Sequence, residues 1–346
     1  YSLAWSEVAA AAPASSGLHR RALAESRWAN AQIASEQGRS IFDADLPLPY
    51  GAFYNGWLAY SLGKQLQAEP AAARRPADLA RFRRTCAHIA AALPDSASPF
   101  PESYRGAAWP ADASVDVAAL AVHDQLFGPR YRPLIRSWVR RVQSRADTLG
   151  MIPHAVEPGT GRGREGVRGA SQSLVLIMLH DIDPAFGRRQ YQLYHRYFVG
   201  SRLGLPGIRE YPQGQFGLGD VDSGPVIWGI GGAASVVGRR TVQLYGDTVL
   251  AAGLRNSLSA FGMARTSAQG RAYLFGQLPI ADAFLAWSNA VAVRPPLPTP
   301  GGWRGWFQFG SLLMLAGTAL LFRRKRKRPG PRPELLPRRD GEPLPW

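Results

Sequence analysis

The sequence predicts an all-α protein: a toroid of helical hairpins followed by one C-terminal transmembrane helix. Three observations carry this. Apolar residues recur at helical spacing in about ten segments, while no apolar–polar alternation runs long enough for a large sheet. Short turns such as F-G-P-R (127–130) and D-I-D-P (181–184) alternate with long loops at 42–51, 98–112, 150–169 and 205–224, the rhythm of antiparallel helix pairs. Residues 305–322 form an uncharged apolar run. Successive hairpins close into a bundle, a solenoid or an α/α toroid, and a toroid gathers its long loops at one mouth.

Residues 1–16 are expected to be flexible. Leu18–Gln37 is Ala-rich with heptad-like apolar positions, and Gly38 closes it as a C-cap. A loop with Asp43 and Asp45 follows. Ala52–Gln67 reads as a helix crowded with aromatic residues (Phe53, Tyr54, Trp57, Tyr60), either a core face or a binding face. Pro76–Leu93 starts with proline at its first position, and Arg75, Arg81, Arg83 and Arg84 mark its solvated side. Asp112 or Ser114 is expected to cap Val115–Phe127. Tyr131–Ala146 has the clearest period: apolar residues at 131, 134, 135, 138, 139 and 142 oppose Arg132, Arg136 and Arg140. Short extended pieces are expected within 150–169. Helices then follow over Gly169–His180, Phe186–Val199, Pro225–Val237, Arg239–Phe261 and Arg271–Ser288. The helical domain therefore covers 17–290.

Residues 291–304 are rich in proline and read as a semi-rigid stalk. The 18 residues of 305–322 carry no charge, and at about 1.5 Å each they match the hydrocarbon thickness of a bilayer. Trp303 and Trp306 flank one end and R-R-K-R-K-R the other, so the basic tail, 323–346, is expected to be cytoplasmic and the helical domain extracytoplasmic. The formal charge of +16 is thereby read as membrane topology and anionic lipid contact, and no nucleic-acid partner is expected. The chain begins at Tyr1 and is expected to be a mature form or a fragment. The single Cys86 forms no internal disulfide and builds no metal cluster.

The centre of the chain is Arg209–Gly232, R-E-Y-P-Q-G-Q-F-G-L-G-D-V-D-S-G-P-V-I-W-G-I-G-G. Glu210, Asp220 and Asp222 lie close together in a glycine-rich loop that runs into an apolar segment. Carboxylates are costly to bury unpaired, so such a loop is either a helix cap or the floor of a site. Two carboxylates in unlike surroundings divide the roles of acid and base, which dehydration, hydration, isomerisation and glycoside cleavage all require. Glu210, beside Arg209, is expected to be the ionised member. Asp112 and Glu102 approach from the 98–112 loop. Arg209, Tyr104, Trp109, Tyr211 and His154 are the expected substrate-binding residues, the aromatic ones as apolar or sugar-stacking walls. Asp220 or Asp222 capping a helix at Pro225 is the competing reading. His154 is a general base or a structural histidine. His180 with Asp181 and Asp183 suggests a metal, but D-P opens a helix there and capping is favoured. No zinc spacing, phosphate loop or dinucleotide fingerprint occurs, so no metal or cofactor is expected.

Several motifs resemble, in order and spacing, the linalool dehydratase–isomerase family. They are E-S-Y at 102–104, the helix ending in H-D-Q-L-F-G, Gly150 with P-G-T-G at 158–161, H-D-I-D-P-A-F, R-E at 209–210 and D-V-D-S-G at 220–224. The similarity covers about residues 45–260. It implies an (α/α)6 barrel with a central pocket and a lyase or isomerase activity. The family's dehydratase uses a cysteine pair in the segment matching Pro99–Asp112, where this chain has none, so thiol chemistry does not carry over. The function expected is thus that of a membrane-anchored extracytoplasmic enzyme working by carboxylate acid/base chemistry on a small molecule. A glycan-cleaving enzyme of the cell envelope, or a non-catalytic envelope binding or scaffold protein, are the alternatives.

Overall fold

The computed structural model describes residues 1–93, 97–268, 270–291 and 302–326. The chain divides into two units, Tyr1–Gly301 and Gly302–Trp346.

The first unit opens with a helix where the sequence predicts a flexible segment. Helix α1 (Ser2–Ala11) is held by side chains that local propensity does not reveal. Leu3, Ala4 and Ala9 are buried, Ser2 and Ser6 both hydrogen-bond the Ser26 hydroxyl, and His19 Nδ1 lies 2.9 Å from the Ala9 carbonyl. Ser16 caps α2 (Gly17–Ile33) by accepting from His19 N. Gly38 does not end that helix: it lies inside the short α3 (Glu36–Arg39), which Ser35 caps. Next come α4 (Gly51–Ala68) and α5 (Pro76–Ala92). Helix α6 (Pro110–Phe127) starts earlier than the predicted Val115, because Pro110 supplies a preset φ at the first position. Asp112 and Ser114 are therefore inside the helix and cap nothing. In α7 (Arg132–Gln143) the predicted period holds: Ile135, Trp138, Val139 and Val142 are buried while Arg132, Arg136 and Arg140 are exposed.

A hairpin of β1 (Ala155–Val156) and β2 (Gly163–Glu165) precedes α8 (Gly169–Ile182). Asp183 caps α9 (Pro184–Phe198) through the amides of Ala185 and Phe186, at 3.0 and 2.9 Å. A second hairpin follows, β3 (Val199–Arg202) with β4 (Leu205–Ile208). The helix predicted from Pro225 does not begin there. Val226–Ile227 (β5) instead pairs with Ile230–Gly231 (β6), and Trp228 and Gly229, both at positive φ (50° and 81°), make the two-residue turn between them. Helix α10 (Gly232–Leu244) and α11 (Thr248–Phe261) follow. The predicted helix from Arg271 begins later too: Arg265–Ser267 (β7) and Gly270–Ala272 (β8) form a hairpin, and α12 (Pro279–Asn289) restarts at a proline. Among the described residues every sheet is two-stranded, so the all-α class holds.

The helices fall into two sets. Helix α1 packs on α4, α4 on α6, α6 on α8, α8 on α10, α10 on α12, and α12 returns to α1. The others each pack on members of that series: α2 on α1 and α4, α5 on α4 and α6, α7 on α6, α9 on α8, α11 on α10. Burial follows the same division. From Pro110 to His123 every residue of α6 is buried, as expected for a helix enclosed on all sides, whereas α7 keeps one polar face. Polar contacts tie the series across. Tyr60 and Lys64 of α4 both reach Asp181 of α8, at 2.9 and 2.8 Å. Arg240 of α10 pairs with Glu7 of α1 and donates to the Trp287 carbonyl of α12.

In the second unit, α13 (Trp303–Arg326) extends past the predicted 305–322. Its Trp303–Arg323 stretch has a mean hydropathy of 1.4, so by length and composition it is apolar enough to cross a membrane. Most of the predicted stalk (292–301) and of the basic tail (327–346) lies outside the described residues.

Close approach of α4 to α5 and α6 depends on Gly63. A Cβ there would lie 2.7 Å from Val122 Cγ1 and 2.9 Å from Phe82 Cε2, both rigidly packed. Gly63→Ala should destabilise the domain by about 1–3 kcal/mol through overpacking, despite the better helix propensity of alanine. Chemical denaturation of the purified protein checks this, and a more stable variant would contradict it.

Candidate active site

Two of the long loops, 150–169 and 205–224, bring charged groups to one buried guanidinium, that of Arg168. This residue is the last before α8, in extended conformation, and its side chain is only 3% exposed. Its Nε donates to Glu210 Oε1 at 2.9 Å and its NH1 to Asp220 Oδ2 at 2.5 Å. The same NH1 lies 3.3 Å from His154 Nε2 and 3.4 Å from Glu165 Oε1, and the guanidinium stands over the Tyr211 ring at 5.5 Å.

The local fold explains why Glu210 reaches it. The strand β4 runs on through Arg209, which bridges to Ile230, and Glu210 N donates to the Gly229 carbonyl. Gly169 N, at the start of α8, donates to the Glu210 carbonyl at 2.8 Å. Two glycines leave the necessary room: a Cβ on Gly169 would sit 1.9 Å from the Arg209 carbonyl oxygen, and one on Gly231 2.8 Å from Glu210 Oε2. Successive residues of an extended strand face opposite sides. Arg209 and Glu210 are therefore not partners, contrary to expectation. Arg209 turns to the Tyr211 and Gln215 carbonyls, and Arg168 takes its place.

The two carboxylates on Arg168 are driven apart. Burial pushes Glu210 up to about 7 against the opposing pull of Arg168, and its Oε2 has no hydrogen-bond partner. The Arg168 hydrogen bond, with the Ser223 amide and the Arg168 charge, holds half-exposed Asp220 down to about 2. The ionised member is thus Asp220, and Glu210 is the group poised near neutrality, the reverse of the expected assignment. Burial and the Arg168 charge lower His154 to about 4, so its ring is neutral at pH 7, with Nδ1 3.0 Å from Ser171 Oγ.

A second acidic group lies where the 98–112 loop enters α6. Asp112 is buried; burial, and then the charge of Asp222, lift it to about 7 while a Ser103 hydrogen bond opposes. Asp222 itself is exposed and comes from the loop that also carries Asp220. The two acids, two residues apart, thus serve different groups. One turn along α6, Asp116 is fully buried with both carboxylate oxygens unpartnered, in the space that Gly56 leaves by lacking a Cβ. Burial, then Asp112, pushes it far above the carboxylate range. Tyr104 closes the group. Its ring lies 5.9 Å from Phe42, 5.5 Å from Phe53 and 5.6 Å from Trp109, and burial with the charges of Asp112 and Asp222 raises its phenol to about 12. The 98–112 and 150–169 loops are joined by Val156 N donating to the Ala108 carbonyl at 3.0 Å.

Glu102 is engaged elsewhere: its Oε1 accepts from Gly106 N at 2.7 Å and closes the turn. Neither Asp220 nor Asp222 caps a helix; Asp220 Oδ1 accepts from Ser223 N inside the loop. Asp183 caps α9 and Asp181 is paired with Lys64, so the motif at 180–184 is structural. Among the described residues no three His, Cys, Asp or Glu side chains group as metal ligands. An open dent lined by Tyr1, Ala24, Glu25 and Trp28 lies on α1 and α2, outside this network.

Removing a buried guanidinium that holds a buried carboxylate costs about 3–5 kcal/mol in comparable cases. Arg168→Met should destabilise by that order and free the 212–224 loop, read as faster proteolytic nicking there; adding Glu210→Gln should restore part of the stability but leave the loop labile. If the double variant is no more stable than the single one, the buried pair is not what the loss reports. A second outcome concerns pH. A carboxyl whose folded pKa is raised stabilises fully below its unfolded value near 4, and that contribution is lost as pH rises through about 7. Thermal stability should therefore fall between pH 4.5 and 7.5, and Asp112→Asn should flatten that slope; an unchanged slope would contradict the assignment.

Compared with known proteins, the chain matches no family model and no curated protein.

Proposed function

We propose that this is a membrane-anchored α/α-toroid enzyme that performs carboxylate acid/base chemistry of the hydration–dehydration or isomerisation class. Support for the toroid comes from the contact series that returns from α12 to α1, with the second set of helices packed on it. Anchoring rests on α13, whose aromatic and basic flanks favour an extracytoplasmic domain.

The observation that carries the chemistry is the split among the carboxyl groups of these loops: Asp112 and Glu210 near 7, Asp220 near 2. A group near 7 both gives and accepts a proton at neutral pH, and one near 2 remains an anion. In a dehydration, protonated Asp112 gives its proton to the leaving hydroxyl, the carbon–oxygen bond breaks and water departs. Asp222, whose charge acts on Asp112, takes the proton from the adjacent carbon as the double bond forms. Transfer from Asp222 back to Asp112 through solvent resets the pair. Arg168 with Glu210, Asp220 and His154 holds the loop that presents Asp222. Tyr104 and Trp109 supply an aromatic wall.

That wall also favours a second reading, a glycan-cleaving enzyme, because Tyr104, Phe42, Phe53 and Trp109 form one partly exposed aromatic group beside Asp112. One experiment separates the two. Full-length protein is incubated in D2O with a panel of tertiary and allylic alcohols, their alkenes, and envelope glycans. The proposal expects alkene–alcohol interconversion or solvent deuterium in an alcohol or alkene, lowered at least about 100-fold in Asp112→Asn, the scale of a general acid. Glycan cleavage would instead establish the second reading, and no turnover of any panel member by folded protein would sink both.

A further inference from the structure

Several of the most exposed large apolar side chains of the first unit lie in two segments. Phe216, Leu218 and Val221 are 86%, 96% and 96% exposed. Met263, Phe275 and Ile280, on the α11–α12 connection, are 48%, 62% and 62% exposed. Singly exposed apolar residues need no explanation, but a contiguous group marks an interaction face.

The two segments share one end of the domain. Helices α10 and α11 are joined by the short turn Tyr245–Asp247 and pack on each other as a hairpin, so the chain at Phe261 returns to the end where Gly231 opens α10. Two features set this end apart. Backbone strain is one: Trp228, Met263 and Phe275 are non-glycine residues in the left-handed region, at φ 50°, 46° and 57°. The charge is divided between the segments: the first carries Asp220 and Asp222, the second only arginines. Arg265 and Arg271 are exposed on the β7–β8 hairpin, while the nearby Asp282 accepts from the Tyr273 amide.

Covalent geometry supplies the occupant. Helix α12 begins at this same end and is 11 residues long, about 17 Å, before the domain stops at Val291. Only residues 292–301 separate Val291 from Gly302, where the apolar unit starts, and ten residues reach at most about 35 Å. A bilayer holding α13 is therefore tethered to the domain by a short linker, which raises its effective concentration for any docking face. Exposed apolar side chains with Trp228 at the margin match the interfacial layer of a membrane, and Arg265 and Arg271 beside Met263, Phe275 and Ile280 supply the cations that meet anionic headgroups.

We propose that the 216–228, 263–268 and 270–280 segments form a face that docks on an anionic lipid bilayer. The inference rests on reading α13 as a membrane span. Because the 216–228 segment carries Asp220 and Asp222, docking also presents the acidic loop to molecules dissolved in the membrane, which narrows the substrate class to apolar, bilayer-partitioned compounds.

The test uses full-length protein reconstituted into vesicles of phosphatidylcholine with phosphatidylglycerol. Single-cysteine variants Leu218→Cys and Phe275→Cys, with Ile41→Cys as an exposed control, are labelled with an environment-sensitive dye; Cys86 is fully buried and does not compete. The proposal expects blue-shifted emission at 218 and 275, and at least twofold stronger quenching by shallow spin-labelled lipid than at 41. Lower phosphatidylglycerol or Arg265→Glu with Arg271→Glu should reduce both. Equal quenching at all three sites, in vesicles that still float with the protein after a carbonate wash, overturns docking while leaving the span intact. Dye self-quenching at 218 and 275 that scales with protein density, without lipid quenching, assigns the face to a second copy and also overturns it. Failure to float after the wash removes the span, and the docking inference with it. None of these readouts depends on turnover, so they stand or fall separately from the acid/base assignment.

Discussion

A charged guanidinium taken out of water must be matched by anions and hydrogen-bond acceptors, and the fold around Arg168 is arranged to meet that demand. Glu210 comes from the end of β4, Asp220 from the glycine-rich loop, His154 and Glu165 from the β1–β2 hairpin. The adjoining β1–β2 hairpin and two points 42 and 52 residues further along the chain are thereby fixed against the first turn of α8. The glycine-rich loop depends on this most. Phe216, Leu218 and Val221 point to solvent and contribute no burial, so the loop is held by an ion pair, the Asp220–Ser223 turn and its ends. Its placement is electrostatic more than hydrophobic.

The same demand is met differently inside α6. Asp112 and Asp116 lie on a helix buried along most of its length, and among the described residues no cation pairs with either. A carboxyl in that setting is retained by staying neutral. Arg168 and α6 thus present opposite solutions to burying acids: one pairs them, the other protonates them. The contrast is what makes chemistry available, since an ionised carboxylate and a neutral carboxylic acid are kept within one set of loops without any change in residue type.

How much of this is legible in the chain depends on where each signal resides. Helix α7 is readable because its arginines face water and its Ile135, Trp138 and Val139 do not; the pattern is local. The start of α6 is not, because a helix buried on every side has no polar phase, and only Pro110 marks it. The V-I-W-G-I segment reads as apolar helix, but a turn with two positive-φ residues, one of them Trp228, makes it a hairpin. Glu210 and Asp220 are identifiable as acids out of place. Their partner is not, since Arg168 lies 42 and 52 residues away and adjacent Arg209 is the obvious candidate. What misleads is strand geometry, which sends neighbours to opposite faces. Helix α1 is the reverse case: alanine-rich and unremarkable alone, it is ordered by Ser26, His19 and Glu7 contacts made after the helices assemble.

The loop that bears Asp220 and Asp222 also bears the most exposed apolar residues of the domain, and this pairing has a physical reading. Val221 stands between the two acids, 96% exposed, while Asp220 turns in to Arg168 and the charge of Asp222 is felt at Asp112 and Tyr104. Acid/base chemistry on a weakly acidic carbon–hydrogen bond is faster where water is excluded, because each charge then acts in a lower dielectric. A loop that is polar toward the domain and apolar away from it does not exclude water alone. Covered on its apolar side, by lipid as proposed, it would place Asp112 and Asp222 beneath a dry layer while Arg168 keeps the loop in register. Site and surface are then two faces of one element, and the ion pair that fixes the loop against α8 governs both.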